Sequence, residues 1–308
     1  MAVLQGDAQD YVGGLDVRTV VLALDGLESS FLDKFDLDAF KQAYHGTYDV
    51  GMLERVFTPI CFAAILTGKD PRSFGYTQSY LTKAYERGYP SWMKPLYWMR
   101  RNLFGWVKSF GVRDDLAKAG VFDLTKVHRN LDSEMRRNTI FQRLESEGYT
   151  VNPVGIPSYN EEFFDSHAQF PNYIGKDLFL RRDYITSILG SVKETWLSAL
   201  SEIDDYDLTF IYSPLPDVAH HLIAQEDELE LLKEVYDSLS GLPLLFEMKN
   251  IALLILSDHG YEHKFREDGK DVEGDHHPSG FWSLNTSTKV RPTTVFDFYE
   301  LLHELVTA

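Results

Sequence analysis

The feature that most limits the fold is a set of short, almost wholly apolar runs separated by stretches of helical periodicity. Arg18-Thr-Val-Val-Leu-Ala-Leu24 is the first, and it opens directly into Asp25-Gly26. Comparable runs stand at Tyr149–Val154, Leu208–Tyr212 and Ile251–Leu256. A strand with one wet face alternates polar and apolar residues, whereas a strand apolar throughout needs cover on both faces. Between these runs, Tyr184–Leu200, Glu228–Phe246 and Thr294–Val306 carry apolar residues at helical spacing. Strands alternating with helices predict an α/β fold with a mainly parallel sheet and helices on both faces. In such a sheet, ligands bind where strands pass into loops at their carboxyl ends.

The pattern predicts one α/β domain over 17–308, preceded by a loose polar lead-in at 1–16. Residues 77–135 break it. They lack strand signals, hold Trp92, Trp98 and Trp106 out of five tryptophans, and carry Lys94, Arg100, Arg101, Lys108 and Arg113. This segment reads as a mostly helical cap inserted into the sheet domain, offering aromatic and cationic groups to a substrate. The plainer alternative is an amphipathic helix pair whose basic face is simply solvated; a membrane-touching or partner-binding surface is a third.

Charge and cysteine content narrow the partners. Thirty Lys and Arg stand against 47 Asp and Glu, a net charge of −17 that repels nucleic-acid phosphates and argues against general DNA or RNA binding. A phosphate-bearing small molecule is not excluded, because bound cations can reverse the field inside one pocket. Cys61 is the only cysteine, which excludes an intrachain disulfide and cysteine-rich zinc or iron–sulfur sites. The start of the chain lacks the pattern of a signal peptide, and the longest apolar run, Ile251–Leu256, is far short of a transmembrane span. These features predict a cytoplasmic protein; nothing in the sequence sets an oligomeric state.

Several residues carry chemistry. In Phe57-Thr58-Pro59-Ile60-Cys61, Thr58 suits an N-cap, Pro59 the first helical position, and Gly68 the C-terminal stop. A hydroxyl there faces the positive end of a helix dipole, which favours an alkoxide and an incoming phosphate. Thr-Pro also starts helices without any such role. Asp25 follows the first strand. Asp217 and His221, spaced i and i+4, follow Leu208–Tyr212 and share one face if a helix starts there. Asp258-His259-Gly260 closes Ile251–Leu256, and Asp275-His276-His277-Pro278-Ser279-Gly280 comes after it. Six of the ten histidines fall between 220 and 277.

Together these residues resemble the alkaline phosphatase superfamily, and most closely its type I phosphodiesterase/nucleotide pyrophosphatase branch. The resemblance rests on Leu24-Asp25-Gly26, Thr58-Pro59 with Leu66-Thr67-Gly68-Lys69-Asp70-Pro71, Asp217-x-x-x-His221, Ser257-Asp258-His259-Gly260 and His276-x-Pro278-x-Gly280, in that order. It implies two divalent metal ions, one held by Asp25, Thr58, Asp258 and His259, the other by Asp217, His221 and His276. Mixed carboxylate and imidazole donors suit Zn²⁺ best, with Mn²⁺ or Fe²⁺ as alternatives. It also implies in-line attack by Thr58 on a small-molecule phosphodiester or nucleotide, and hydrolysis of a phospho-threonine intermediate.

The chain departs from the branch in places. Phe74-Gly75 stands where relatives often have His-Gly, and Gln78 and Ser79 lie about where some diesterases place a phosphate-binding Asn, so these two are the candidate substrate contacts. His220, His263 and His277 adjoin the pattern without fitting it. A sulfatase would need Cys or Ser in a C/S-x-P-x-R context, and P-loop, dinucleotide and serine-hydrolase motifs are missing from the sequence. The alternatives are a phosphomonoesterase, phosphonate hydrolase or phosphoglycerate-mutase-like enzyme of the same superfamily, and a non-catalytic metal-binding scaffold.

Overall fold

The computed structural model describes residues 18–88, 95, 129–161, 169–247, 251–266 and 274–308. The lead-in at 1–16 and most of the 77–135 segment, its three tryptophans included, lie outside the described residues.

In chain order the elements are β1 (Arg18–Leu24), α1 (Ser29–Lys34), β2 (Tyr44–Asp49), α2 (Thr58–Thr67), α3 (Gln78–Gly88), α4 (Ser133–Arg136), α5 (Ile140–Glu147), β3 (Val151–Val154), α6 (Leu178–Ser201), β4 (Leu208–Ser213), α7 (Leu215–Leu222), α8 (Leu229–Glu247), β5 (Ile251–Leu256), β6 (Gly260–Glu262), β7 (Asp275–His277), β8 (Ser279–Leu284) and α9 (Phe298–Thr307). Six strands form the central sheet in the order β2-β8-β5-β1-β4-β3. The four apolar runs seen in the sequence become β1, β3, β4 and β5, and they pair in parallel. Every residue of β4 and of β5 is buried, so side chains on both faces of the sheet meet helices. Helices α5 and α9 pack against α2, with α5 against β3 and α9 against β1; α6 packs against β4, and α8 against β5.

Two strands of the central sheet were not anticipated, nor was the separate β6–β7 pair. β8 runs antiparallel to β5, and β2 antiparallel to β8, with Tyr44 opposite Leu284 and Asp49 opposite Ser279. β2, Tyr-His-Gly-Thr-Tyr-Asp, is an edge strand with a single fully buried residue, Tyr48. Too little of it is apolar to signal a strand; the ladder to β8 makes it one. At the other edge, Pro153 is tolerated in β3 because an edge strand need not donate a second row of hydrogen bonds.

The parallel register positions the site. Leu24 lies level with Ser213, and Ala23 with Leu256, so the chain leaves β1, β4 and β5 at one edge of the sheet. Asp25, Asp217 and Asp258 all follow from those exits.

Aromatic pairs fill the interior beneath. Phe210 of β4 meets Phe141 of α5 edge-on, with ring centroids 5.6 Å apart at 87°, and both rings are fully buried. Phe210→Ala is expected to cost about 3–5 kcal/mol, measured as a lower denaturant midpoint with unchanged slope.

Candidate active site

Helix α2 is apolar on every side and all ten residues are buried, so it lies in the core and holds its first residue rigidly. Its cap is Phe57, which makes no side-chain cap bond, and Thr58 is already helical. The N-cap expected at Thr58 is therefore displaced by one residue. The cause is visible in the Thr58 hydroxyl, which does not turn back to the helix backbone. It lies 3.2 and 3.3 Å from the two carboxylate oxygens of Asp25 and 3.3 Å from His259 Nε2. The helix ends at Gly68 in the left-handed conformation, as the sequence suggested.

Around that hydroxyl the remaining residues fall into two touching sets. In the first, His259 Nε2 lies 3.2 Å from Asp25 and 3.6 Å from Asp258. In the second, Asp217 lies 3.5 Å from both His221 and His276, and the two imidazole Nε2 atoms are 3.2 Å apart. The rings of His259 and His276 stack at 3.9 Å and join the sets. Asp25, Asp258 and His259 offer ligand atoms within 4.8 Å of one another, and so do Asp217, His259 and His276. Thus all seven residues singled out in the sequence, scattered from 25 to 276, meet in one place.

The helical spacing of Asp217 and His221 is realised in α7, and the loop after β1 locks onto that helix. The Asp217 N–H donates to the Asp25 carbonyl at 2.9 Å. Gly26 sits beneath it with φ +65°, where an added Cβ would lie 2.9 Å from the Asp217 Cβ. Only glycine allows both that conformation and that approach.

Asp258 is fully buried, and neither of its carboxylate oxygens takes a hydrogen bond among the described residues. A buried carboxylate is normally paired or bound to a metal. Burial and the Asp25 charge push its carboxyl well above the usual carboxylate range. Burial opposes charging of His259, yet Asp258 and Asp25 outweigh it and raise the imidazole to about 10. His276 moves the other way, to about 4, through burial and the neighbouring His259. Three carboxylates, three imidazoles and a hydroxyl, with both oxygens of one buried carboxylate unsatisfied, form a donor set that fits divalent cations.

Several residues here escaped the sequence reading. The fully buried Tyr212 hydroxyl donates to Asp25 Oδ2; burial and the Asp25 charge hold it well above the usual phenol range, so it stays protonated. Ser158, at φ +67°, donates to the Pro59 carbonyl at 2.6 Å and bonds Tyr76 at 2.9 Å, bracing the turn into α2. Phe170 stacks on His221. None belongs to a motif; Tyr212 alone left a trace, as the polar tip at the end of an apolar run. His220 is buried, with its ring nitrogens 2.9 Å from His263 and from Tyr236, while His277 is exposed. Gln78 and Ser79 begin α3. The Gln78 N–H donates to Glu54 and Ser79 is exposed.

The sheet edge thus carries acidic and imidazole groups around one helix-borne hydroxyl. Residues 19–280 match the type I phosphodiesterase/nucleotide pyrophosphatase family, and the chain belongs to that family. Among solved structures, it is similar to murine ectonucleotide pyrophosphatase/phosphodiesterase 5, at 16% identity and TM-score 0.42, covering 82% of this chain and 59% of that one. It is similar to phosphonoacetate hydrolase from Sinorhizobium meliloti 1021 in complex with phosphonoformate, at 15% identity and TM-score 0.43, covering 83% and 59%. The human ectonucleotide pyrophosphatase/phosphodiesterase 5 is 11% identical with TM-score 0.49, and 94% of each chain is covered. This chain thus spans 59% of the murine protein and of the hydrolase. No curated protein sequence matches it. No helix among the described residues is long and apolar enough to cross a membrane.

The raised His259 fixes a pH dependence. The folded site holds a proton that the unfolded chain, near 6.5, releases earlier. Its stabilisation is full below about 6.5 and is lost as pH rises towards 10. EDTA-treated protein is expected to lose thermal stability across that window, measured by differential scanning fluorimetry, and His259→Asn to flatten the slope.

Proposed function

We propose that this chain is a two-metal phosphodiesterase or nucleotide pyrophosphatase that works through a phospho-threonine intermediate on Thr58. The observation that carries the reading is the Thr58 hydroxyl, held at the start of α2 within 3.3 Å of both Asp25 and His259. Asp25, Thr58, Asp258 and His259 would hold one cation, and Asp217, His221 and His276 the other. Zn²⁺ suits these donors best, with Mn²⁺ or Fe²⁺ next. When bound, such a pair supplies charge neutralisation at the phosphoryl oxygens and lowers the pKa of a coordinated hydroxyl or water.

The chain's own residues supply position. The Thr58 hydroxyl donates towards Asp25, which leaves an oxygen lone pair free for phosphorus, and the α2 dipole stabilises the negative charge that develops there. The Oγ–P bond forms as the bond from phosphorus to the leaving oxygen breaks. Water then attacks the same phosphorus and restores the hydroxyl. Tyr212 holds Asp25 in place throughout, and Ser158 holds the turn. Gln78, through its side-chain NH2, and Ser79, through its hydroxyl, are the proposed donors to a phosphoryl oxygen.

Among the described residues, the placement of Lys69 and Arg72 favours a diester over a monoester. A monoester carries an extra negative charge that asks for more cationic groups near the nucleophile. Lys69 follows the opposite end of α2, beside Arg137 and Arg143 in a surface groove, and the Arg72 guanidinium is engaged by Asp70 and the Met52 carbonyl.

Thr58→Ala is expected to lower hydrolysis of bis-(p-nitrophenyl) phosphate by at least about 10³-fold while metal content stays at two per chain by elemental analysis. Near-wild-type turnover would remove Thr58 as nucleophile. Faster cleavage of p-nitrophenyl phosphate than of the diester would favour the monoesterase reading.

A further inference from the structure

The three imidazoles of the cluster are oriented in two different ways. His259 Nδ1 lies 3.0 Å from the Gly260 carbonyl, and His276 Nδ1 lies 3.1 Å from the Val56 carbonyl. A carbonyl only accepts, so each Nδ1 carries a proton, and in the neutral ring, the form that binds a cation, each Nε2 turns a lone pair inward. The backbone fixes both tautomers whatever the neighbouring side chains are. His221 has no such carbonyl partner among the described residues. Its Nδ1 lies 3.2 Å from the Tyr261 hydroxyl, while its Nε2 faces Asp217 and His276.

Tyr261 is well placed for this and firmly held. It lies opposite His276 in the β6–β7 ladder. Its N–H donates to Glu28 Oε2 at 3.0 Å, and its ring stacks on the buried His220 at 4.7 Å. The approach of Glu28 is close enough that a Cβ at residue 260 would lie 2.2 Å from Oε2, so glycine precedes Tyr261. The Tyr261 ring stands edge-on to His221 at 89°, and Phe170 covers a face of the imidazole at 5.1 Å. His221 is also the most exposed of the three histidines, with 23% of its side chain accessible, so these two aromatic residues do for it what burial does for the others.

We propose that Tyr261 is a positioning residue that sets the tautomer and ring orientation of His221, and so the strength of the Asp217/His221/His276 cation site. A tyrosine hydroxyl can donate as well as accept. With Nδ1 protonated, Tyr261 accepts and Nε2 is free to bind a cation; with Tyr261 donating, Nε2 carries the proton and binds none. The His221 tautomer at one cation site therefore depends on a side-chain hydroxyl, whereas the His259 tautomer at the other is set by a backbone carbonyl. This inference rests on the two-cation reading above.

The test is competitive Zn²⁺ titration of the 308-residue chain against a chromophoric chelator. Tyr261→Phe keeps the ring and removes the hydroxyl. It is expected to weaken one of two Zn²⁺ sites by about 10–100-fold and to leave the other within about twofold of wild type. If wild type binds two ions and Tyr261→Phe binds both equally well, Tyr261 has no positioning role and the two-cation reading stands. If wild type binds none, both fall. Long-range ¹H–¹⁵N NMR of the Zn²⁺-loaded wild type checks the same point without a variant: His221 should carry its proton on Nδ1 and its metal on Nε2, and metal on Nδ1 would overturn the inference.

Discussion

Three carboxylates buried at one sheet edge are the constraint on which the rest of the structure depends. Asp25 and Asp258 are fully buried and Asp217 nearly so. Left uncompensated, each buried charge costs several kcal/mol. The fold meets this with imidazoles and with the Thr58 and Tyr212 hydroxyls, and still leaves both Asp258 oxygens without a hydrogen bond among the described residues. A site so acidic inside a chain of net charge −17 is built to receive positive charge. That physical demand leads to the proposed cation pair, and from there to a phosphoryl substrate that a bare acidic cluster would repel.

Rigidity comes from the elements behind the carboxylates. Parallel pairing fixes β1 between β4 and β5, so the three loops cannot slide past one another without breaking the ladders. The wholly buried α2 holds Thr58 from the other side. Preorganisation of this kind is what phosphoryl transfer asks of a protein, since positioning and electrostatics carry most of that chemistry.

Much of this was legible from the residues. The apolar runs at 18–24, 208–212 and 251–256 gave the strands with their boundaries nearly correct, because a strand covered on both faces must be apolar throughout. The i, i+4 spacing of Asp217 and His221 placed them on one helical face, and α7 realises it. The antiparallel strands β2 and β8 were not legible, since the ladder between them joins segments 230 to 240 positions apart. The N-cap at Thr58 was misplaced for a related reason: local propensity assigns its hydroxyl to the backbone, while Asp25 and His259 claim it through space.

The sequence alone determined which chemical groups the protein possesses, the parallel α/β plan, and the family to which those motifs belong. Those are matters of composition, periodicity and spacing, which the chain carries before it folds. Tertiary structure decided how the groups are used: that Tyr212 anchors Asp25, that Ser158 braces the turn into α2, and that His221 leans on Tyr261 while its two counterparts lean on backbone carbonyls. Apart from the His259–Gly260 contact, these join residues far apart in the chain through single hydrogen bonds, and a hydrogen bond over that separation leaves no periodic mark in the sequence.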